Sequence, residues 1–205
     1  MKLTHGDSAM TKRMAVVVCL SMVLAAPARA QHGGAQPAMR TVPAEARQYA
    51  FLVGEFELAV KPQVSTLVAK LHGVPKMIGT WKGWRALDGF GIEDELRITD
   101  ESGNPKVLSH AVRYYDPEQH HWQSSTIDAY RGVFAMTTSE WRGNAMISTY
   151  HGTDADGKAY VTRGTYSDIT PTSFRFRQER SSDEGKTWKE NLSIEAKRVA
   201  ATATR

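Results

Sequence analysis

The sequence predicts an all-β protein that folds as an antiparallel up-and-down barrel of about ten strands. Three observations lead to this prediction. After residue 76, strand-like runs of about eight to twelve residues follow one another, with a turn signal between each pair. Hairpin connections join almost all of these runs, which makes the sheet a meander. A long meander removes its exposed edges most simply by closing on itself.

Residues 1–30 are typical of a secretory signal peptide. Lys12 and Arg13 precede the apolar run MAVVVCLSMVLAA, and Ala28-Arg29-Ala30 supplies a small-residue cleavage site. The run is shorter than a spanning helix requires, so no membrane span is expected after cleavage. The single cysteine, Cys19, lies within this run. We therefore expect a periplasmic or secreted mature chain with neither a disulfide nor a thiol nucleophile.

The charge balance disfavours a nucleic-acid-binding protein. The full chain has a formal net charge of +4, but most of that excess lies in residues 1–30, so the mature chain is nearly neutral. No run of basic residues remains to contact phosphate groups. The mature length suits one domain with a substantial core.

The barrel domain is predicted to span residues 43–199, between a flexible leader at 31–42 and a disordered tail at 200–205. The leader is rich in Gly, Ala and Pro. Pro43 then opens a short helix, since it stands at a first helical position with an acidic residue in the first turn. The segment GEFELAV follows with a period of two, which predicts the first strand.

A second helix is predicted between the first two strands, at residues 64–72. Val64, Leu67, Val68 and Leu71 recur at helical spacing, and Gly73 follows as a stop signal. Such a helix has one apolar stripe that must pack on something. We expect it to cap one end of the barrel.

Seven turn signals punctuate the rest of the chain: LDGFG, DESGNP, DPEQH, RGN, DADGK, ITPTS and SSDEGKT. The last, extended to Trp188, resembles the Asp-box of sialidase-type β-propellers. A propeller repeats this box from blade to blade, and no second copy occurs here. We therefore interpret it as a local hairpin, in which Asp183 accepts backbone N–H groups, Gly185 adopts a left-handed conformation and Trp188 packs beneath the turn.

Four segments resemble an exported bacterial family of unknown function: LVGEFEL after a short helix, RYYDPEQHHWQSSTID, YSDITPTSFRFRQERSSDEGKTW and IEAKRV. The resemblance covers about Ala44 to Val199. It implies a lipocalin-type, or calycin, β-barrel that can enclose a cavity. Phe56 stands where the family more usually has Trp, a mild change at a core position. The family offers no settled catalytic residues.

His110 is the first candidate for chemistry. In VLSHAVRYY it shares a period-two face with Leu108, Val112 and Tyr114, so we expect it to point into the barrel. There it could be a hydrogen-bonded core histidine, a ligand contact or a haem ligand. Haem is disfavoured because related haem-binding barrels use a histidine near the C-terminus, and this chain has none after His151.

No metal site is expected at His120 and His121, because neighbouring side chains in the DPEQHH turn diverge. In GIEDELR, alternation places Glu93 and Glu95 on one face and Asp94 on the other.

A glycosidase needs two carboxyl groups that converge across a cleft. In this chain only Glu95 or Asp94, each with Asp128, could supply such a pair.

The predicted interior combines aromatic area with a few polar groups, as a small-molecule pocket requires. A barrel of this size is wide enough for one small ligand. The predicted ligand-binding residues are Trp81, His110, Tyr114, Trp122, Ser124, Asp128, Tyr150, Tyr166 and Gln178. The same inner faces carry Met77, Thr126, Ser148, Tyr160 and Thr162.

These observations favour an exported protein that binds a small hydrophobic or amphipathic molecule, without a cofactor, a metal or catalysis. One alternative is a cavity-based lyase, isomerase or hydrolase that uses His110 and Asp128. Another is a solid barrel with a structural or interaction role. We expect a monomer or a weak dimer.

Overall fold

The structure is a computed structural model that describes residues 41–63, 71, 73–74 and 76–200. The predicted signal peptide and most of the predicted leader lie outside the described residues. So do nearly all of the predicted capping helix at 64–72 and of the tail at 200–205. None of the helices in the described part of the chain has the length and apolar content of a membrane-spanning helix.

The described residues form a closed barrel of ten antiparallel strands, which confirms the predicted fold class. Each strand pairs with its neighbours along the chain, and the first pairs with the last to close the sheet. The seven predicted turn signals all fall between strands. The strands are β1 Gly54–Pro62, β2 Met77–Ala86, β3 Gly91–Asp100, β4 Pro105–Asp116, β5 His121–Asp128, β6 Val133–Arg142, β7 Ala145–Thr153, β8 Ala159–Ser167, β9 Ser173–Ser181 and β10 Lys189–Arg198.

The predicted N-terminal helix is present as two short 3₁₀ turns, Ala44–Arg47 and Ala50–Leu52. We call residues 44–52 the N-terminal plug, because Tyr49 and Leu52 are completely buried in the hydrophobic core. Gly83 of β2 makes room for the plug: a Cβ atom there would lie 2.3 Å from the backbone oxygen of Leu52. Only a residue without a side chain permits this approach.

Aromatic side chains fill the barrel around the plug. Tyr49 packs edge-on against Trp122 and Tyr166, with ring centroids 4.9 Å and 5.8 Å away. Burial of each large apolar side chain contributes about 1.5–3 kcal/mol, and edge-to-face ring pairs add to this. The core also includes Phe56, Trp81, Tyr115, Phe174 and Phe176. This half of the barrel is therefore a packed core.

The junction between β6 and β7 is incomplete. Its ladder has five pairs, from Arg142↔Ala145 to Thr138↔Thr149, whereas each of the other nine junctions has seven or more. The segment Val133–Thr137 of β6 pairs with β5 only, and Tyr150–Thr153 of β7 pairs with β8 only. The two strands therefore separate towards the end of the barrel that lies away from the plug.

The β9–β10 connection forms the local hairpin expected from its Asp-box sequence. Asp183 accepts hydrogen bonds from the Thr187 backbone N–H at 2.9 Å and from the Thr187 hydroxyl at 2.6 Å. Gly185 has a φ of +89°, the left-handed conformation that favours glycine. The ring of Trp188 lies 4.0 Å from the guanidinium of Arg163 on the outer wall. These contacts are structural.

The Asp183 hairpin predicts a stability difference between pH 4 and pH 2. The hydrogen bonds from Thr187 lower the pKa of Asp183 from its usual 3.8 to about 2. A carboxylate with a depressed pKa stabilises the fold above its unfolded pKa, and this contribution is lost as the pH falls through the folded pKa. Asp183→Asn should therefore melt below the wild type at pH 6, and the gap should narrow between pH 4 and pH 2. Thermal unfolding of both proteins across this pH range measures the gap in melting temperature.

Asp156→Asn is the matched control, because Asp156 lies in an exposed turn and its carboxylate accepts no hydrogen bond within the described residues. Its melting temperature should follow the wild type at every pH. A gap for Asp183→Asn that stays constant down to pH 2 would show that the carboxylate charge does not stabilise the hairpin.

Candidate functional site

The half of the barrel away from the plug has an inner face that is only partly buried. Tyr150, Thr162 and Gln178 point inward by register, since they lie in line with the buried Met146, Tyr166 and Phe176 of the same strands. All three are nevertheless half-buried. We call this half of the interior the open half, and it is the candidate site.

Two different walls face each other across the open half. One, on β10 and β1 to β4, is apolar and comprises Val60, Met77, Leu96, Ile98, Val107 and Leu192. The other runs from β4 to β9 and carries Ser109, Thr126, Tyr150, Thr162 and Gln178. We call them the apolar wall and the polar wall. Val60 and Ile98 of the apolar wall are buried in the hydrophobic core, and its other four residues pack against that core. An inner surface that is apolar on one side and polar on the other suits a ligand that has one apolar side and one hydrogen-bonding side.

The polar wall has unused hydrogen-bonding capacity. Ser109, Thr126, Thr162 and Gln178 make no side-chain hydrogen bond to any described residue. Half-buried hydroxyl and amide groups normally find partners in protein or water. These four side chains are therefore free to bind water or the polar groups of a ligand.

Two charged side chains at the rim of the open half, Arg180 and Asp128, each have an oppositely charged partner. The Arg180 guanidinium lies 3.6 Å from the centre of the Tyr160 ring and 3.6 Å from an Asp154 carboxylate oxygen. Asp128 accepts hydrogen bonds from the backbone N–H groups of Tyr130 and Arg131, both at 3.2 Å. Its other oxygen lies 3.4 Å from Arg131 Nε. Arg180 and Asp128 therefore each have an opposite charge close by.

A buried ion pair lies between the open half and the plug. Arg113 donates from Nε to Asp94 Oδ2 at 2.6 Å and from Nη2 to Asp94 Oδ1 at 3.1 Å. Trp81 Nε1 donates to Asp94 Oδ1 at 2.8 Å, and Arg113 Nη1 reaches the Ser124 hydroxyl at 3.4 Å. The guanidinium also lies 5.3 Å from the centre of the Tyr49 ring. This network joins four strands, β2 to β5, and the plug.

Burial and pairing fix the protonation states of this network. Burial lowers the pKa of the Arg113 guanidinium, but the nearby Asp94 carboxylate more than offsets this, so the pKa lies well above its usual value. Burial raises the pKa of both Tyr49 and Tyr166. The Arg113 guanidinium therefore stays charged, and the two phenols stay neutral, at physiological pH. We interpret the network as a structural feature of the barrel.

The predicted site residues fall into three groups. Trp81, Trp122, Ser124 and Tyr166 point inward as predicted, but they belong to the packed half and its ion-pair network. Tyr150 and Gln178 line the open half as predicted. Asp128 lies on the inner face, where it caps the β5–β6 turn.

His110 and Tyr114 form the third group, and their predicted inward direction is wrong. His110 pairs with Glu95 and Ile127 and contacts Glu93 through Nε2 at 3.3 Å, all on the outer face. Tyr114 is 40% exposed. The inner face of β4 instead carries Ala111, Arg113 and Tyr115, all buried. The pattern misled because an arginine occupies the inner face, whereas apolar residues lie outside.

These positions exclude the predicted catalytic combinations. His110 lies on the outer face, whereas Asp128 is paired with Ser109 on the inner face, so the two cannot act as a dyad across one cavity. Asp94 is occupied by Arg113 and Trp81, and Glu95 lies on the outer face beside Arg97. The two converging carboxyls that a glycosidase requires are therefore not formed by these residues.

Arg113 is the important inner-face residue that sequence reasoning missed. Alternation places Asp94 on one face with Ile92 and Leu96, and the structure shows that this face is the inner one. A buried carboxylate requires a cationic or hydrogen-bonding partner. A search of the neighbouring strand for a cation would have pointed to Arg113. Within the described residues no group of three or more His, Cys, Asp or Glu side chains could hold a metal ion.

Together these features define a closed antiparallel barrel with one packed half and one amphipathic open half. No protein-family model matches the chain, and no curated protein matches it. Among solved structures, a de novo designed fluorescence-activating β-barrel is similar at 16% identity and a TM-score of 0.36, over 77% of this chain and all of that one. The protein EF1p2_mFAP2b bound to DFHBI is similar at 10% identity and a TM-score of 0.37, over 76% of this chain and all of that one.

Proposed function

We propose that the protein binds a small, neutral, amphipathic molecule in the open half of its barrel. The observation that carries this proposal is the row of unpartnered polar side chains on the polar wall, Ser109, Thr126, Thr162 and Gln178, opposite an apolar wall. Four inward hydroxyl and amide groups without partners would destabilise a solid core, because each such group lowers stability when water is excluded from it.

A neutral ligand fits the electrostatics of the site. Arg180 and Asp128 are each paired with an opposite charge at the rim. Burial, followed by the interaction with Tyr150, raises the pKa of Tyr160, so its hydroxyl stays neutral. The open half therefore offers hydroxyl and amide groups for hydrogen bonding, and aliphatic side chains for the rest of the ligand. Carbonyl, hydroxyl or ether groups on a compact apolar skeleton would satisfy both walls.

The proposal also covers the location of the protein and the kind of barrel to which it belongs. The signal-like residues 1–30 support export to a periplasm or to the medium. The turn and core motifs of residues 44–199 support a calycin-like barrel of an exported bacterial family. Calycin-like barrels of this size are wide enough to hold one small ligand.

Thr162→Trp tests the location of the ligand, because the larger side chain should fill the open half. The probe is the neutral fluorophore N-phenyl-1-naphthylamine, which gains fluorescence in apolar surroundings. We expect the wild type to bind the probe and Thr162→Trp to bind it at least about tenfold more weakly, a loss of about 1.4 kcal/mol.

Thr165→Trp is the matched control on the same strand. Thr165 points outward, opposite the exposed Arg177 of β9, so its replacement leaves the interior unchanged. Binding by this variant should match the wild type. Equal binding by Thr162→Trp and the wild type, with both folded, would place the probe outside the barrel and contradict the proposal.

A further inference from the structure

We infer that the ligand reaches the interior sideways, through the gap in the barrel wall between β6 and β7. We call this gap the β6–β7 slot, bounded by Val133–Thr137 of β6 and Tyr150–Thr153 of β7. The inference rests on the proposed function and adds a defined path to it.

The slot is a break in the hydrogen-bonded wall. In a complete antiparallel junction, N–H and C=O groups bond across both strands. Here the ladder stops at Thr138↔Thr149, although both strands continue for four or five residues beyond it. The backbone groups that face the slot have no ladder partner on the opposite strand. The wall can therefore open at this point without breaking any strand pairing.

Two small residues lie on the inner side of the slot, beside the larger Val133, Thr137 and Tyr150. If the ladder continued in register, Ala135 would stand opposite Gly152, and both belong to the inner-face rows of their strands. A Cβ atom on Gly152 would lie 2.6 Å from atoms of the Tyr150 and Tyr160 rings. Any larger residue at 152 would push those rings out of place. The space inside Gly152 is therefore occupied by the rings of Tyr150 and Tyr160, which line the inner side of the slot.

The outer lip of the slot is apolar and exposed on its β6 side. Phe134 is 74% exposed and Met136 is 64% exposed, while the inward Val133 at the rim is 47% exposed. The segment Val133–Thr137 contains no charged residue. Exposed edges of strands usually carry charges or proline to prevent association. An uncharged, apolar lip at an opening is suited to the passage of an amphipathic molecule.

The slot leads directly into the proposed binding site. Tyr150, on the β7 side of the slot, belongs to the polar wall and pairs with Thr162. Thr126 of the polar wall pairs with Ala135, on the β6 side. A molecule that passes between the two strands therefore meets the rings of Tyr150 and Tyr160 first, and then the hydroxyl groups of Thr126 and Thr162.

Cross-linking across the slot tests the path. Met136 and His151 would face each other on the outer side of the slot, so Met136→Cys with His151→Cys places one thiol on each strand. A Cys19→Ser background leaves these as the only thiols. A short bismaleimide joins them, and mass spectrometry confirms the bridge. Stopped-flow fluorescence then gives the association and dissociation rates of N-phenyl-1-naphthylamine before and after cross-linking.

The matched control places the same cross-link where the wall is already continuous. Glu140 and Ile147 pair on the outer face of the same two strands, so Glu140→Cys with Ile147→Cys bridges a formed ladder. We expect the slot cross-link to slow both rates at least about tenfold and to leave the dissociation constant within about twofold. The control cross-link should change neither rate by more than about twofold.

Two results would overturn the inference, and they differ in meaning. If the probe binds and the cross-linked slot exchanges it as fast as the uncross-linked protein, the ligand uses another path and the proposed function stands. If neither the wild type nor the control binds the probe or any ligand from its host, the proposed function fails and the inference fails with it.

Discussion

Replacing Asp94 with Ala is expected to lower the free energy of unfolding by about 3–5 kcal/mol. The change leaves the Arg113 guanidinium buried without its bidentate partner, which now holds it at 2.6 Å and 3.1 Å. It also removes the acceptor of the Trp81 Nε1 hydrogen bond at 2.8 Å. A buried, unpaired charge is among the most destabilising defects that a single substitution creates. Unfolding in guanidinium chloride measures the loss in the free energy of unfolding.

Glu95→Ala provides the control one residue away. Glu95 lies on the outer face, where its carboxylate contacts the exposed Arg97 at 3.2 Å. Solvent-exposed ion pairs contribute about 0–1 kcal/mol, so this variant should be close to the wild type. The double variant Asp94→Leu with Arg113→Met removes both charges and should recover most of the stability that Asp94→Ala loses. Equal unfolding midpoints for Asp94→Ala and Glu95→Ala would show that the pair does not hold the barrel together.

Replacing Trp122 with Ala is expected to cost about 3–5 kcal/mol and to release the N-terminal plug. Trp122 is completely buried, and its ring packs 4.9 Å from the Tyr49 ring. Its Nε1 donates to Gln48 Oε1 at 2.9 Å, which anchors the plug to β5. Hydrogen exchange should therefore become faster at the backbone amides of residues 44–52, in addition to the loss of global stability.

Trp84→Ala is the matched tryptophan control. Trp84 lies on the outer face of β2 and is exposed, with its ring 5.7 Å from His110. Its loss should leave both the stability and the exchange rates of the plug amides close to those of the wild type. Unchanged exchange at residues 44–52 in Trp122→Ala would mean that the plug is held in place by other contacts, such as the bonds from Arg198 to the carbonyls of Phe51 and Val53.

The order of strands and turns could be predicted because the signals are local. Each hairpin carries its own Gly, Asn or Asp, and the alternation of side chains is a property of a single strand. The Asp-box hairpin shows this well, because Ser181, Asp183, Gly185 and Thr187 bond to one another within seven residues. Closure of the barrel followed from the length of the meander.

The direction of β4 was predicted wrongly, because the rule that apolar residues face inward fails there. Arg113 occupies the inner face since Asp94 comes from the neighbouring strand to meet it, and this pairing spans 19 positions in the sequence. The sequence pattern therefore placed His110 in the interior together with its apolar neighbours, whereas that face of β4 is the outer one. The β6–β7 slot could not be predicted from the sequence, because the point where a ladder stops depends on how two strands diverge in space.

Native mass spectrometry of the processed protein, purified from its own host, tests the central claim most directly. The account predicts a stoichiometric small molecule that leaves on denaturing extraction and that is absent from Thr162→Trp purified in the same way. This molecule should be neutral and amphipathic, to match the apolar wall and the polar wall of the open half. A wild-type protein free of any adduct, which also shows no stabilisation in a broad thermal-shift screen, would contradict the account and favour a solid barrel.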